Sequence, residues 1–202
     1  VRKWYKAGIF PNAQDFNDLI AQLRAAGDAF GVPDAEGDDE YLLKMLRVAG
    51  WEKLTSPRTY YVRSDGNDAN DGLSDTAGGA FLTVNKAVET ALALNFNCQT
   101  VTIQSRLAIC TEAINIRGPL AGGGVLTLRG DTTTPANCTL APTSGIAISV
   151  ARVGGLNVEG FKITSPDSHG LFANQGSNVT ISGACEFGAC SLSHINSRVG
   201  SY

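Results

Sequence analysis

The sequence predicts a mainly β fold wound as a stacked solenoid, and three observations carry that prediction. A five-residue pattern of aliphatic, polar, aliphatic, polar and glycine occurs four times in the 202-residue chain: INIRG at 114–118, LTLRG at 126–130, LNVEG at 156–160 and VTISG at 179–183. Alternation at period two marks a strand with one buried face, because successive side chains point to opposite sides. The glycine lets the chain bend without a side-chain clash. The spacing is the second observation. The copies begin at 114, 126, 156 and 179, in steps of 12, 30 and 23 residues. A step of 23 suits one coil, and 12 can only join two faces of one coil. The step of 30 is a coil with a longer loop around Thr132, Thr133, Thr134 and Pro135. Composition is the third. Charged residues make up 17% of the chain, below the usual quarter or so, and there are 23 glycines, as a chain needs if every coil must turn several times.

Residues 1–50 read differently, as a helical attachment or oligomerisation segment. Phe16, Leu19, Ile20 and Leu23 fall on one helical face, with Asn12 as N-cap and Asp15 three residues on, where a carboxylate favours the helix start. Gly27 ends or weakens this helix. The acidic stretch Asp34, Glu36, Asp38, Asp39 and Glu40 reads as a solvated connector rather than a metal or partner site. A second short helix carries Tyr41, Leu42, Met45, Leu46 and Ala49 on one side and stops at Gly50. Two helices this short bury little alone. Phe16, Leu19, Ile20, Leu23, Leu42, Met45 and Leu46 are therefore the candidate oligomerisation or docking residues. Trp4 and Trp51 flank this leader and fit either an interface or burial against its own helices.

A linker, 51–59, contains Pro57, and an opening segment, 60–100, follows. Tyr60, Tyr61 and Val62 begin a strand. The Asp/Asn/Gly run from Asp65 to Gly72 is turn chemistry, since these residues bond their own backbone and tolerate left-handed conformations. It fails the EF-hand pattern at Ala69 and Asn70, which favours a tight structural loop over a calcium site of another kind. From Thr83, a capping residue, Val84, Ala87, Val88, Ala91 and Leu92 recur at helical spacing and predict about three turns with one buried side. That helix is placed to cover the open end of a solenoid, whose strand edges would otherwise be bare. The repeats occupy 101–202. Gly145 and Gly170, each opening a short apolar run, lie 25 apart, again near one coil.

Other features bound the function. A net charge of -3 and a pI near 5.3 argue against a nucleic-acid face. No apolar run approaches the ~18–20 residues of a membrane span. The chain begins at Val1 rather than Met and ends just after the last repeat, which reads as a piece of a longer protein. Cys98, Cys110, Cys138, Cys185 and Cys190 are odd in number and contain no CxxC, so buried free thiols are favoured over zinc; an inter-chain or Cys185–Cys190 disulfide is the alternative. His169 and His194, 25 apart, could stack, but read as loop histidines. The sequons at Asn137 and Asn178 are short enough to occur by chance. No cofactor or metal is expected.

The segment from Tyr60 through Asp65, Gly66, Asn67, Asp68 and Asp71, and on to Gly78, Gly79, Ala80, Phe81, Thr83 and Ala87, resembles the opening of right-handed parallel β-helix proteins of the pectate-lyase-like class. It is most similar to the version in bacteriophage tail spikes and tail fibres. The stretches Asn157–Ile163 and Asn178–Gly183 resemble its coils, and Phe10–Ile20 is similar to leaders of such tail proteins. The resemblance implies a homotrimer that docks on other tail or baseplate proteins through its N-terminal part. It also implies a virion location and a β-helix that binds host surface polysaccharide and runs on past Tyr202. The expected function is thus that of a structural virion protein for host attachment. The alternative is a polysaccharide depolymerase, a lyase or hydrolase with its active groove mostly beyond residue 202.

No catalytic motif of that class matches this stretch, and catalysis within it is not expected. Glycoside hydrolysis needs two carboxyl groups at matched separation. Stacking the four copies puts Arg117, Arg129, Glu159 and Ser182 in one outward column and Asn115, Thr127, Asn157 and Thr180 in the next. The first column holds one carboxylate among arginines, so Glu159 reads as the partner of Arg129 in a weak surface pair worth ~0–1 kcal/mol. Nothing pairs Asp167 or Glu186.

Overall fold

The computed structural model describes residues 52–198. Within them are thirteen strands, one α-helix and a single turn of 3-10 helix, Pro135–Asn137. The strands are β1 (Arg58–Val62), β2 (Thr100–Ser105), β3 (Ile109–Cys110), β4 (Ile114–Arg117), β5 (Val125–Arg129), β6 (Thr139–Leu140), β7 (Ile148–Ala151), β8 (Leu156–Glu159), β9 (Lys162–Ser165), β10 (Leu171–Asn174), β11 (Val179–Ile181), β12 (Glu186–Cys190) and β13 (Ile195–Ser197). The helix α1 spans Val84–Leu92. β1 opens at Arg58, two residues ahead of the expected Tyr60, and Leu54 before it is already buried.

The strands form three sheets in rotation. From β2 onward each sheet receives every third strand: β1-β2-β5-β8-β11 in the first, β3-β6-β9-β12 in the second and β4-β7-β10-β13 in the third. Every pairing between named strands is parallel. Parallel neighbours need a long crossover. Here the crossover from β2 to β5 is itself made of strands β3 and β4, whereas the crossover between the parallel pair β1 and β2 carries the helix α1.

The pleat then sorts the residues. Val101, Leu126, Leu156 and Val179 share one row of the first sheet, and Ile103, Leu128, Val158 and Ile181 share the next. Ile114, Ile148, Leu171 and Ile195 form a row of the third sheet, and Cys110, Leu140, Ile163 and Phe187 lie on the second. All of these residues except Ile195 on the last strand meet in one continuous apolar core. Burying each Val, Leu or Ile contributes roughly 1.5–3 kcal/mol, and repetition makes the contribution cumulative along the stack. At the ends of β5 and β8 the repeat glycines leave no room for a side chain. A Cβ on Gly130 would come within 2.3 Å of the Gly160 carbonyl oxygen, and Gly160 itself has φ +72°.

The expected alternation holds in the first, third and fourth copies, whereas in the second the polar Thr127 is buried along with Leu126 and Leu128; the single column does not hold. β4 belongs to the third sheet, where Asn115 and Arg117 face Ser149 and Ala151. The 12 residues from position 114 to 126 carry the chain to the next face and not around a full turn. The places assigned to Asn115 and Arg117 are taken by Thr102 and Gln104, which align with Thr127 and Arg129. A similar slip separates the two glycine-led runs. Ile148 aligns with Leu171, 23 residues on, so Gly145 is not the neighbour of Gly170. The Gly145 amide instead donates to Asp167 Oδ1 (2.7 Å).

Helix α1 packs its buried face (Val84, Ala87, Val88 and Ala91) against β1, β2 and β4. Thr83 is its N-cap and accepts from the Lys86 amide (3.2 Å). Glu112, arriving after β3, adds a carboxylate there: Oε1 accepts from the Val84 amide (2.7 Å) and Oε2 from the Asn85 amide (3.2 Å). A carboxylate at this end satisfies free amides and favours the helix dipole. The opening loop is tied to the same point. Asp68 accepts from the amides of Leu82 and Thr83 and from the Thr83 hydroxyl, each at 2.9 Å.

Candidate functional site

The longer step between the second and third copies builds a depression walled by an ordered loop. After β5, residues 131–138 leave the stack as a loop held from within. Asp131 Oδ1 accepts from the amides of Thr133 and Thr134 (2.9 Å each), and Oδ2 from the Asn137 side-chain amide (2.9 Å). The Thr134 amide, the Asn137 side chain and the Thr133 amide together hold the Asp131 carboxyl below the usual carboxylate range. The loop walls a cleft of about 400 Å³ whose other side is the end of β2, Gln104 to Leu107.

Two arginines border this cleft, and each is anchored. Arg106 donates from Nε to Asp75 Oδ2 (3.0 Å), while Arg63 holds the other oxygen of Asp75 (3.0 Å). Partial burial of Asp75 works to raise its pKa, but the bonds and charges of Arg63 and Arg106 outweigh it and hold the carboxyl low. Arg129 donates from Nε to Glu159 on the next turn. Among the described residues, no bond engages the η nitrogens of Arg106 or Arg129. The Gln104 side-chain nitrogen is used on backbone, with Gly130 O at 3.0 Å, and no described donor meets its Oε1.

The outer face of the first sheet carries the network onward. The Ser182 hydroxyl donates to Asn157 Oδ1 (2.7 Å) and lies 3.3 Å from Glu159 Oε2. Asn157 and Ser182 also line a second, shallower depression with Gly124, Gly154, Gly155 and Asn178. A polar strip therefore runs from the cleft across Arg129, Glu159, Ser182 and Asn157. Such a strip can hold a hydrogen-bonding ligand. The expected pairing of Glu159 with Arg129 is present, with Glu159 the better-shielded partner (14% exposed against 45%). Exposed pairs of this kind contribute ~0–1 kcal/mol.

Other candidates resolve individually. His169 and His194 do not stack on one another. His169 Nδ1 is 2.7 Å from the Ser193 hydroxyl and its ring stacks on Phe172, whereas His194 stacks on Phe187. In the loop from Asp65 to Gly72, Asp65 pairs with Arg63, Asn67 and Asp71 accept from the amides of Ala69 and Leu73, and Asp68 and Asn70 reach across to Leu82, Thr83 and the carbonyls of Ala77 and Ala80. Gly72 has φ +75°, and a Cβ there would strike the Phe81 ring at 2.2 Å. Among the described residues no group of three or more His, Cys, Asp or Glu side chains is placed to hold a metal, and no helix is long and apolar enough to cross a membrane.

All five cysteines are free thiols, so the Cys185–Cys190 bond is not formed. Cys110 and Cys138 are buried as expected, and burial pushes the Cys110 thiol up to about 12 and raises that of Cys138; contrary to expectation Cys185 and Cys190 are only half-buried and Cys98 is exposed. The docking candidates Phe16, Leu19, Ile20, Leu23, Leu42, Met45 and Leu46 lie outside the described residues, as do Trp4, Trp51 and the acidic stretch 34–40.

The sequence reading missed Gln104, Arg106, Asp131 and Asn137. The extra length of the 30-residue step was the available signal, because residues beyond one coil's need must leave the stack. Comparison with protein-family models, curated proteins and solved structures finds no match to this chain.

Proposed function

We propose that the chain is the opening part of a phage tail spike or tail fibre subunit: a right-handed parallel β-helix, capped by α1, that presents a host-glycan-binding face. The observation that carries this reading is the rotation of strands through three parallel sheets, each turn feeding the same three faces. A coil of that kind is a stiff rod that grows along one axis. Right-handed winding is the hand expected for parallel strands joined by a crossover. α1 is the lid, since β1 and β4 are edge strands and both lie against it. The likeness of the opening segment to tail spikes supplies the setting: a virion appendage, trimeric, docked through residues 1–50 to other tail proteins. Three copies would also multiply weak saccharide contacts into avidity.

Electron microscopy and sedimentation of the intact protein test the assembly. A trimeric rod supports the reading, and a monomeric globule contradicts it. Incubation with host capsule or lipopolysaccharide separates the adhesin from the depolymerase. Binding without release of reducing sugar is the adhesin's result, and release on binding identifies the enzyme.

A further inference from the structure

We infer that the cleft between the end of β2 and the loop 131–138 is a saccharide subsite selective for an uncharged sugar unit. The inference rests on the glycan-binding reading above and specifies its ligand. The arginines alone would suggest an anion site, but the charges around them do not. Arg106 and Arg129 line the cleft beside Asp131; Arg106 is paired with Asp75, which Arg63 shares, and Arg129 with Glu159, so three positive charges stand with three negative. A carboxylate, sulfate or phosphate entering here would find the charge of both arginines already met by a carboxylate.

What the cleft does offer is a mixture of donors and acceptors. The η nitrogens of Arg106 and Arg129 donate. Gln104 Oε1 accepts, and the Asn137 amide and Thr132 hydroxyl offer both. A sugar hydroxyl donates and accepts at once, so a pair of neighbouring hydroxyls matches this set. An anion, which only accepts, leaves Gln104 Oε1 without a donor. Size agrees, since about 400 Å³ lies within the usual range of small-ligand sites. The walls are also fixed before any ligand arrives. Asp131 is held by three hydrogen bonds, and Asp75 and Glu159 hold the Nε of the two arginines. Groups fixed in advance lose little freedom on binding.

The test is binding of the intact protein to immobilised oligosaccharides, neutral (hexose, deoxyhexose and N-acetylhexosamine units) and acidic (uronate, sulfated and phosphorylated units), followed by titration calorimetry of the best ligand from low to high salt. The expected ligand is neutral, and its affinity changes less than about twofold with salt because no ion pair forms on binding. Arg129→Ala and Asn137→Ala each weaken it about tenfold or more, while Asn115→Ala, on another sheet, leaves it unchanged. Circular dichroism confirms that each variant is folded. Preference for acidic units with affinity that falls as salt rises overturns the inference. Neutral binding that survives both cleft substitutions also overturns it, but leaves the glycan-binding reading standing. Binding to no saccharide defeats both.

Discussion

The two ends of the described stack are built from the same residue types and treated in opposite ways. At the first end, the edges of β1 and β4 meet α1, and Leu54, Phe81, Val84, Val88 and Phe96 are almost wholly buried. At the other end, β11, β12 and β13 are the outermost strands among the described residues. There Val179, Ile181 and Phe187 are only partly buried, and Ile195 is 50% exposed although Leu171, its aligned neighbour one turn earlier, is 2% exposed. The inward row that reads Ile116, Val150 and Ala173 ends on a polar residue, Ser197. Position in the stack, rather than residue type, thus decides how much an apolar side chain contributes.

The largest expected effect comes from an unpaired charge placed in the middle of the stack. Val158→Asp should destabilise by more than about 4 kcal/mol, because Val158 is fully buried between turns. Ile181→Asp, in the same row one turn later, should cost about 2 kcal/mol or less. Equal losses in thermal melts would mean that the last turn is as well packed as the others. Phe81→Ala should lose about 3–5 kcal/mol at the covered end, and Phe187→Ala no more than about half of that. A reversed order would contradict the comparison.

Smaller effects sharpen it. Thr83→Ala removes the N-cap and should cost about 1 kcal/mol, seen as a modest drop in melting temperature. Acid should act first on the opening loop and cleft. Asp65, Asp75 and Asp131 are depressed in the folded state. Their contribution is therefore complete above the unfolded value of about 3.9 and is lost as pH falls through the lower folded values. The melting temperature should hold between pH 7 and 5 and decline below about pH 4, less steeply in Asp75→Asn. An unchanged slope in that variant would show that Asp75 is not among the groups responsible. Thiol labelling of the native protein should modify Cys98 quickly and Cys110 and Cys138 only on unfolding. Fast labelling of Cys110 would open the core that the comparison assumes closed.

Strands, inward faces and the helix α1 were legible in the sequence because each depends on local periodicity. Leu156 and Val158 alternate with Asn157 and Glu159, and Val84, Ala87, Val88 and Ala91 mark a helical face, whatever lies around them. Which strand sits beside which was less legible. INIRG and LTLRG look alike, yet β4 and β5 belong to different sheets, because the residues between them are too few for a full turn. The cleft was not legible at all. Arg106 and Asp131 lie in segments with no repeat, and only the register of β2 with β5 brings Gln104 beside Arg129.

Cross-linking within the first sheet tests the winding most directly. In a cysteine-free background, the pair Arg129→Cys and Glu159→Cys places two thiols on aligned outward positions of neighbouring strands, within reach of a short thiol-bridging reagent. The pair Arg117→Cys and Arg129→Cys, closer in sequence, lies on two different sheets. Rapid bridging of 129 to 159, with none of 117 to 129, is the predicted result. Bridging of 117 to 129 in place of 129 to 159 would contradict the assignment of strands to three sheets.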